Sequence, residues 1–468
     1  MNKLYLDFET ASECDLKVAG LDNYAKHPTT RVLCMAYAVD DGPVSLWLPG
    51  HPLIDASGVS VWAHNSAFEF AIWNHVYNPT NPLVQEQMYC TMSMAAAMGL
   101  PQSLEMAALA SGIDQKKDTK AHRVMMKLCK PDKNGKFYDP ENYPEDFKIL
   151  YDYCKQDVEV ERALAKRLAP LSGREREVWL LDQTINARGV GIDVSSATKF
   201  RELIDSEQER LQKDLQQITE GEVLTVGSTA QLKKWMKSKG VEVESIDKAH
   251  TQELLHDQSI PGEVIDALLI REEAAKSSNA KYKAMLDGSN DGRVRNLFQY
   301  FGATTGRWSG RKVQLQNLPR PKLKQAEIEA AIERPRSISL LHPSVMHVAS
   351  DCIRGMFIPT EGYSFVCADF SNIEGRIAAW IAGEVWKTEA FSAFDLGRGH
   401  DIYRLAYSKA FRIPVEKVTD EQRQIGKVME LALGFGGSVG AFQNMAKNYG
   451  VKVSDEKAFN VSYLARNR

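Results

Sequence analysis

The sequence predicts an α/β protein of several domains. Three observations carry this. Residues 1–168 alternate short apolar strand segments with amphipathic helical spacing. Residues from about 172 to 290 keep helical spacing almost throughout. From about 291 the texture turns to short strands, turns and basic residues before helices return. At 468 residues the chain is too long for one core, so about three domains are expected.

The elements follow in order. Leu4–Phe8 alternates: Leu4, Leu6 and Phe8 face one way, Tyr5, Asp7 and Glu9 the other, the period of a strand. Val32–Val39 and Val59–Ala63 are further strand candidates. A long helix is expected from about Pro144 to Leu168, with Pro144 suited to its first turn. Phe200, Leu203, Ile204, Leu211, Leu215 and Ile218 keep helical spacing. Ser228-Thr-Ala-Gln231 has the form of a capping box, and Gly240 suits a C-terminal cap. Tyr363–Ala368 reads as a buried strand, and helices follow it.

Composition excludes several classes. Hydrophobic content of 44% and charged content of 25% are those of an ordinary globular protein. The charged opening MNKLYLDFET has no apolar signal region, and no run of about 18 apolar residues offers a membrane span. The seven cysteines form no C-x-x-C pair, which argues against a zinc ribbon and for a reducing, cytoplasmic compartment. The net charge of −3 conceals local asymmetry.

Asp7 and Glu9 stand side by side on one strand face, where like charges repel and a cation is expected between them. Two later stretches supply partners. VSVWAHNSAFEF is a strand, a turn and a helix start, ending in Asn65 and Glu69. YCKQDVEV places Tyr153 and Asp157 at i and i+4 of a helix. Asp157 lies at the edge of an apolar stripe of Phe147, Leu150, Cys154, Val158, Ala165 and Leu168, where an unpaired charge is costly. A divalent metal resolves both burial and repulsion. Against this, Ser66-Ala-Phe-Glu69 also fits a capping box, and His64 reads as an ordinary hydrogen-bonded histidine.

The three segments in this order, D-x-E, N-x-x-x-E and Y-x-x-x-D, resemble the DEDD 3′→5′ exonuclease superfamily in its Tyr-containing form, the proofreading domain of DNA polymerases. The resemblance implies an RNase H-like exonuclease domain. It implies that Asp7, Glu9, Glu69 and Asp157 coordinate two Mg²⁺ or Mn²⁺ ions and that Tyr153 orients the attacking water. Glu69 stands where the family more often has Asp.

From Gly292 to Ala326 there is no acid, while Arg293, Arg295, Arg307, Arg311, Lys312, Arg320, Lys322 and Lys324 fall there. Such a run is either a solvated loop or a polyanion track. Within it, TTGRWSGRKVQLQNLPRP resembles the T-G-R-x-S … L-Q-N-[IL]-P segment of family A DNA polymerases, the DNA polymerase I-like group. The resemblance assigns Arg307, Gln316 and Asn317 to primer–template DNA. YSFVCADFSNIEGR resembles motif A of that family. It implies Asp369 as a catalytic metal ligand, again with two ions, and Glu374 beside the incoming sugar; Asn372 replaces the usual Gln. Ser371-Asn-Ile-Glu374 also fits a capping box.

TDEQRQIGKVMELALGFGG opens with a box from Thr419 to Gln422. Arg423 and Lys427 share a face, and Ile425, Val428, Met429 and Ala432 form the packing stripe. The spacing resembles motif B, which implies that Arg423 and Lys427 grip a dNTP triphosphate. Lys427 would also protonate the leaving pyrophosphate. Phe435 would sit near the template base, Tyr403 takes a position that is often His, and Leu431 is left without a role.

The resemblance thus implies four segments: 1–168 exonuclease, 169–290 helical thumb, 291–400 palm with motif A, and 401–468 fingers with motif B. Together they make an RNase H-like domain plus a right-hand polymerase. It also implies a second palm acid downstream of motif B. Asp420-Glu421 and Asp455-Glu456 do not match it, so a truncated C-terminus is expected, with a missing segment in trans as one partner. The expected function is a phage-like, template-directed DNA polymerase with proofreading exonuclease, acting in DNA replication on primer–template DNA, dNTPs and single-stranded DNA 3′ ends in a bacterial or phage-infected cell. The alternatives are a DEDD-type exonuclease only, a non-catalytic primer–template-binding remnant, and an RNase D-like exoribonuclease.

Overall fold

The computed structural model describes every residue except 1, 114–118, 339–341, 343, 435, 450, 452–453, 455–457 and 460–468. The chain divides into two compact units, Met1–Ser364 and Phe365–Arg468.

The first unit opens with a five-stranded sheet of β1 (Lys3–Ala11), β2 (Arg31–Val39), β3 (Ser45–Trp47), β4 (Ser60–Ala63) and β5 (Met88–Cys90), ordered β3-β2-β1-β4-β5. β2 is antiparallel to β1 and to β3, whereas β4 is parallel to β1 and β5 to β4. The three longer strands coincide with the expected ones. β3 and β5 have three residues each, too few to show alternation in sequence. β1 is central and covered on both faces. Leu4, Leu6 and Phe8 join Trp73, Tyr77 and Met88 in one core, while Tyr5 and Ala11 join Leu150, Cys154 and Val158 in the other. The second face is roofed by the Pro144–Ala165 helix, which carries its proline in the first turn.

The α/β expectation is therefore met, and the helical stretch follows. The Val194–Ile218 helix is capped by Asp193 and buries Phe200, Ile204, Leu211 and Leu215. Phe200 stacks on Tyr282 at 5.4 Å. Ser228 caps the Thr229–Ser238 helix by accepting from the Gln231 N–H, but the expected box closes only halfway. The Gln231 side chain accepts from the Leu224 N–H at 3.0 Å instead. Gly240 follows the helix with φ +82°, the left-handed cap that glycine adopts without strain.

Tyr363–Ala368 is not a strand. The segment has no ladder partner among the described residues, and Tyr363 and Val366 are 75% and 94% exposed. An apolar run becomes a buried strand only where a neighbour takes up its backbone groups and covers its side chains.

The second unit packs the helices Ile402–Phe411, Asp420–Leu433 and Val439–Asn448 around Tyr407, Ile425, Val428, Met429, Phe442 and Ala446. A Cβ on Gly426 would stand 2.1 Å from the Tyr403 carbonyl oxygen, so the first two of these helices cross where only glycine fits. Among the described residues no helix is long and apolar enough to cross a membrane.

Candidate active sites

In the first unit, β1 turns Asp7 and Glu9 toward the Pro144–Ala165 helix, opposite Ala36 and Cys34 of β2, and its register shifts just after Glu9. Both acids are half-buried, as are Tyr153 and Asp157 on the helix. Cys154 lies between them, its thiol donating to Asp7 O at 3.4 Å and approaching Asp7 Oδ2 at 3.5 Å. The Tyr153 hydroxyl donates to Asp157.

The electrostatics report mutual proximity. Burial pushes the Asp7 carboxyl up to about 6, opposed by the Cys154 thiol. Burial and then Asp7 push Asp157 up to about 8, opposed by Tyr153. Glu9 and Glu69 are pushed well up by burial and then by Asp7. So is Tyr153, by burial and then Asp157. Acids from β1, from the Ala67–Ile72 helix and from the Pro144–Ala165 helix therefore share one neighbourhood.

Glu69 corrects an expectation. Ser66 makes no capping hydrogen bond, so the box is not formed. Glu69 is instead 3% exposed, with Oε2 unpartnered. His64 is the ordinary histidine expected: Nε2 donates to Gln102 O at 2.9 Å, Nδ1 meets Thr91 Oγ1 at 3.0 Å, and burial lowers it to about 4.

The sequence reading missed Glu161. It is 1% exposed, its Oε1 has no partner, and it is pushed up by burial and then by Asp7. The signal was available, because Glu161 continues the i, i+4 row of Tyr153 and Asp157 into the helix's apolar stripe.

The donor set suits a hard divalent ion: all ligands are carboxylate oxygens, two buried oxygens lack partners, and the acids repel. Among the described residues, however, no group of three or more His, Cys, Asp or Glu is arranged to hold a metal.

Part of the basic stretch is bound to the protein itself. Arg293 and Arg295 donate to the carbonyls of Ala187, Arg188 and Gly189 at the end of the Gly173–Arg188 helix. Lys312 donates to Ala19 O at 2.6 Å, and Arg311 to Gln299 Oε1 at 3.2 Å. Three of these four cations sit on carbonyls at helix C-termini, which attract cations, while Arg311 is held by a strand side chain. Arg307, Gln316 and Asn317 are exposed, the last two on the turn Leu315–Asn317.

In the second unit, Asp369, Glu374, Tyr403, Lys427 and Leu431 line one pocket of ≈ 580 Å³. Asp369 is exposed. The Ser371–Glu374 box is not formed; the Ile373–Ala382 helix starts after Asn372 at φ 49°. The Thr419–Gln422 box is complete. Arg423 is not merely solvated: its Nε donates to Asp401 Oδ2 at 3.1 Å and it lies over the Tyr403 ring. Lys427 lies over Tyr449 at 4.6 Å. Phe435 and Asp455-Glu456 lie outside the described residues.

The fold is that of a polymerase domain. It matches the POL domain of Pol1 from M. smegmatis, solved in complex with DNA primer-template and dNTP, with a TM-score of 0.60 at 18% identity, over 100% of this chain and 72% of that one. Residues 194–468 match the family model described as DNA polymerase family A. A DNA polymerase of Bacillus phage SP02 is 38% identical over 96% of this chain and 72% of its own length. DNA polymerase I of Aquifex aeolicus is 30% identical over 38% of this chain and 25% of its own. The chain belongs to DNA polymerase family A.

Proposed function

We propose that this family A polymerase is template-directed and carries a 3′→5′ proofreading exonuclease in residues 1–168. The observation that supports the exonuclease is the proximity of Asp7, Glu9, Glu69 and Asp157, from three separate elements, each raised by burial and all lying close enough to Asp7 to interact with it. These four would hold two divalent ions. Bound Mg²⁺ or Mn²⁺ would supply water activation and stabilisation of the leaving 3′ oxygen. Tyr153 keeps a hydroxyl proton beside Asp157 and orients the attacking water. Glu9 from β1 and Asp157 from the Pro144–Ala165 helix position the terminal phosphodiester.

For polymerisation, residues 169–290 act as thumb, 291–400 as palm and 401–468 as fingers, on primer–template DNA and dNTPs. Asp369 is the palm acid and Glu374 lies by the sugar. Lys427 grips the triphosphate and protonates pyrophosphate, with Arg423 held beside it by Asp401 and Tyr403 on the same pocket wall. Phe435 takes the template-base role, and Arg307, Gln316 and Asn317 take primer–template contacts.

A second reading, in which the exonuclease is the activity this chain performs unaided, is favoured by the setting of Asp369 on an exposed segment without a ladder partner among the described residues. One experiment separates them: the Mg²⁺-dependent fate of a labelled primer on a template, with and without dNTPs. Digestion without dNTPs is lost in Asp7→Ala and kept in Asp369→Ala. Extension is kept in Asp7→Ala and lost in Asp369→Ala. Digestion that survives Asp7→Ala refutes the exonuclease assignment, and absence of extension by the parent chain selects the second reading.

A further inference from the structure

Between Thr119 and Tyr138, six cations, Lys120, Arg123, Lys127, Lys130, Lys133 and Lys136, meet one acid, Asp132. That acid is consumed locally, accepting from the N–H groups of Asn134 and Lys136 at 2.8 and 2.9 Å. Acids return at Asp139 and Glu141, which bound the basic face. The Thr119–Leu128 helix buries Ala121, Val124 and Leu128 and so leaves Arg123 on the solvent side. Lys130, Lys133 and Lys136 are exposed as well.

Aromatic rings are set into this face. Arg31 lies over Phe137 at 4.3 Å, and Lys127 over Tyr138 at 5.0 Å and Tyr143 at 4.7 Å. The two tyrosines meet edge-on at 4.8 Å, and Tyr143 is 38% exposed. Asp146 holds Lys127 in place at 2.6 Å. A charge run that only keeps a surface wet requires no such rings. Nor does it need a fixed position, and this face has one. The Ser12 N–H donates to Cys129 O at 3.1 Å, Lys130 lies 3.8 Å from Asp15, and Arg31 is paired with Ala11 in the sheet. The face is therefore stitched to the end of β1, immediately after Glu9.

We propose that this face is a track for single-stranded polynucleotide, which leads the strand to the acids at the end of β1. The inference rests on the exonuclease reading for its destination. Backbone phosphates suit the exposed cations, and unpaired bases suit the tyrosine faces. Duplex bases are already stacked, and an acidic protein would leave the rings unused.

The test uses the full chain carrying Asp7→Ala, so that the probe survives, and the anisotropy of fluorescein-labelled (dT)₂₀ across a salt series. Removing three cations in R123A/K133A/K136A should make the slope of log affinity against log salt shallower by about 2, at about 0.7 per phosphate contact. Affinity should fall at least tenfold. Tyr143→Ala should weaken binding by about tenfold with the slope unchanged, the effect of one lost base stack. Lys133→Glu alone, on an exposed turn, repeats the measurement if the triple variant melts lower than its parent. Parental affinity and slope in these variants overturn the track. So does a neutral Tyr143→Ala combined with competition by poly-glutamate equal to that by unlabelled (dT)₂₀, which would make the face a protein-docking surface. With Asp7 restored, the track variants should raise KM for single-stranded digestion and leave kcat unchanged. If the parent never digests DNA, the exonuclease reading fails, while the anisotropy still decides the track.

Discussion

Asp157→Asn in metal-free protein should raise stability, and by more as pH rises. The Asp157 carboxyl is pushed from 3.8 to about 8 by burial and by Asp7. A carboxyl raised in the folded state contributes stability that is complete below its unfolded value and is lost as pH climbs through the folded one. At about 1.4 kcal/mol per pH unit, holding this group protonated while the unfolded chain ionises costs on the order of 1–2 kcal/mol at pH 5 and on the order of 4 kcal/mol at pH 7. Asparagine cannot ionise and escapes this cost. At no more than about 2 °C per kcal/mol for so large a unit, the variant should melt up to ~3 °C above the parent at pH 5 and up to ~8 °C above it at pH 7–8. Calorimetry with EDTA measures this. Added Mn²⁺ should reverse the order, because the parent gains ion-binding stabilisation that the variant has lost. A melting difference that is flat or shrinking between pH 5 and pH 8 would refute the claim that Asp157 is buried against another carboxylate.

Further outcomes follow from single contacts. Trp179→Ala should cost about 3–5 kcal/mol in urea unfolding, since Trp179 is 1% exposed and donates to Ser93 Oγ at 2.9 Å. Gly426→Ala should cost about 1–3 kcal/mol by overpacking against the Tyr403 carbonyl, read as an earlier melting step. Thr419→Ala opens the capping box of the Asp420–Leu433 helix and should cost about 1 kcal/mol by the same measurement. Asp401→Ala removes both the cap of the Ile402–Phe411 helix and the partner of Arg423. Primer-extension kinetics should show a higher KM for dNTP, and unchanged kinetics would detach Arg423 from the nucleotide.

The sequence by itself determined the period-2 strands around Asp7 and Glu9, the stripe of the Pro144–Ala165 helix, the Thr419 cap and the motif spacings, because each rests on contacts within a few residues. The same spacing arguments misjudged Ser66 and Ser371, whose boxes depend on the exact backbone entering the helix. They also missed Glu161, whose significance depends on being packed toward Asp7, a residue far away in the chain. Only the tertiary structure decided that four cations of the basic stretch bind distant parts of the fold and that Tyr363–Ala368 has no strand to join among the described residues. Charges and strands acquire partners across long sequence separations, and burial, which sets their energies, is a property of the assembled chain rather than of any segment in it.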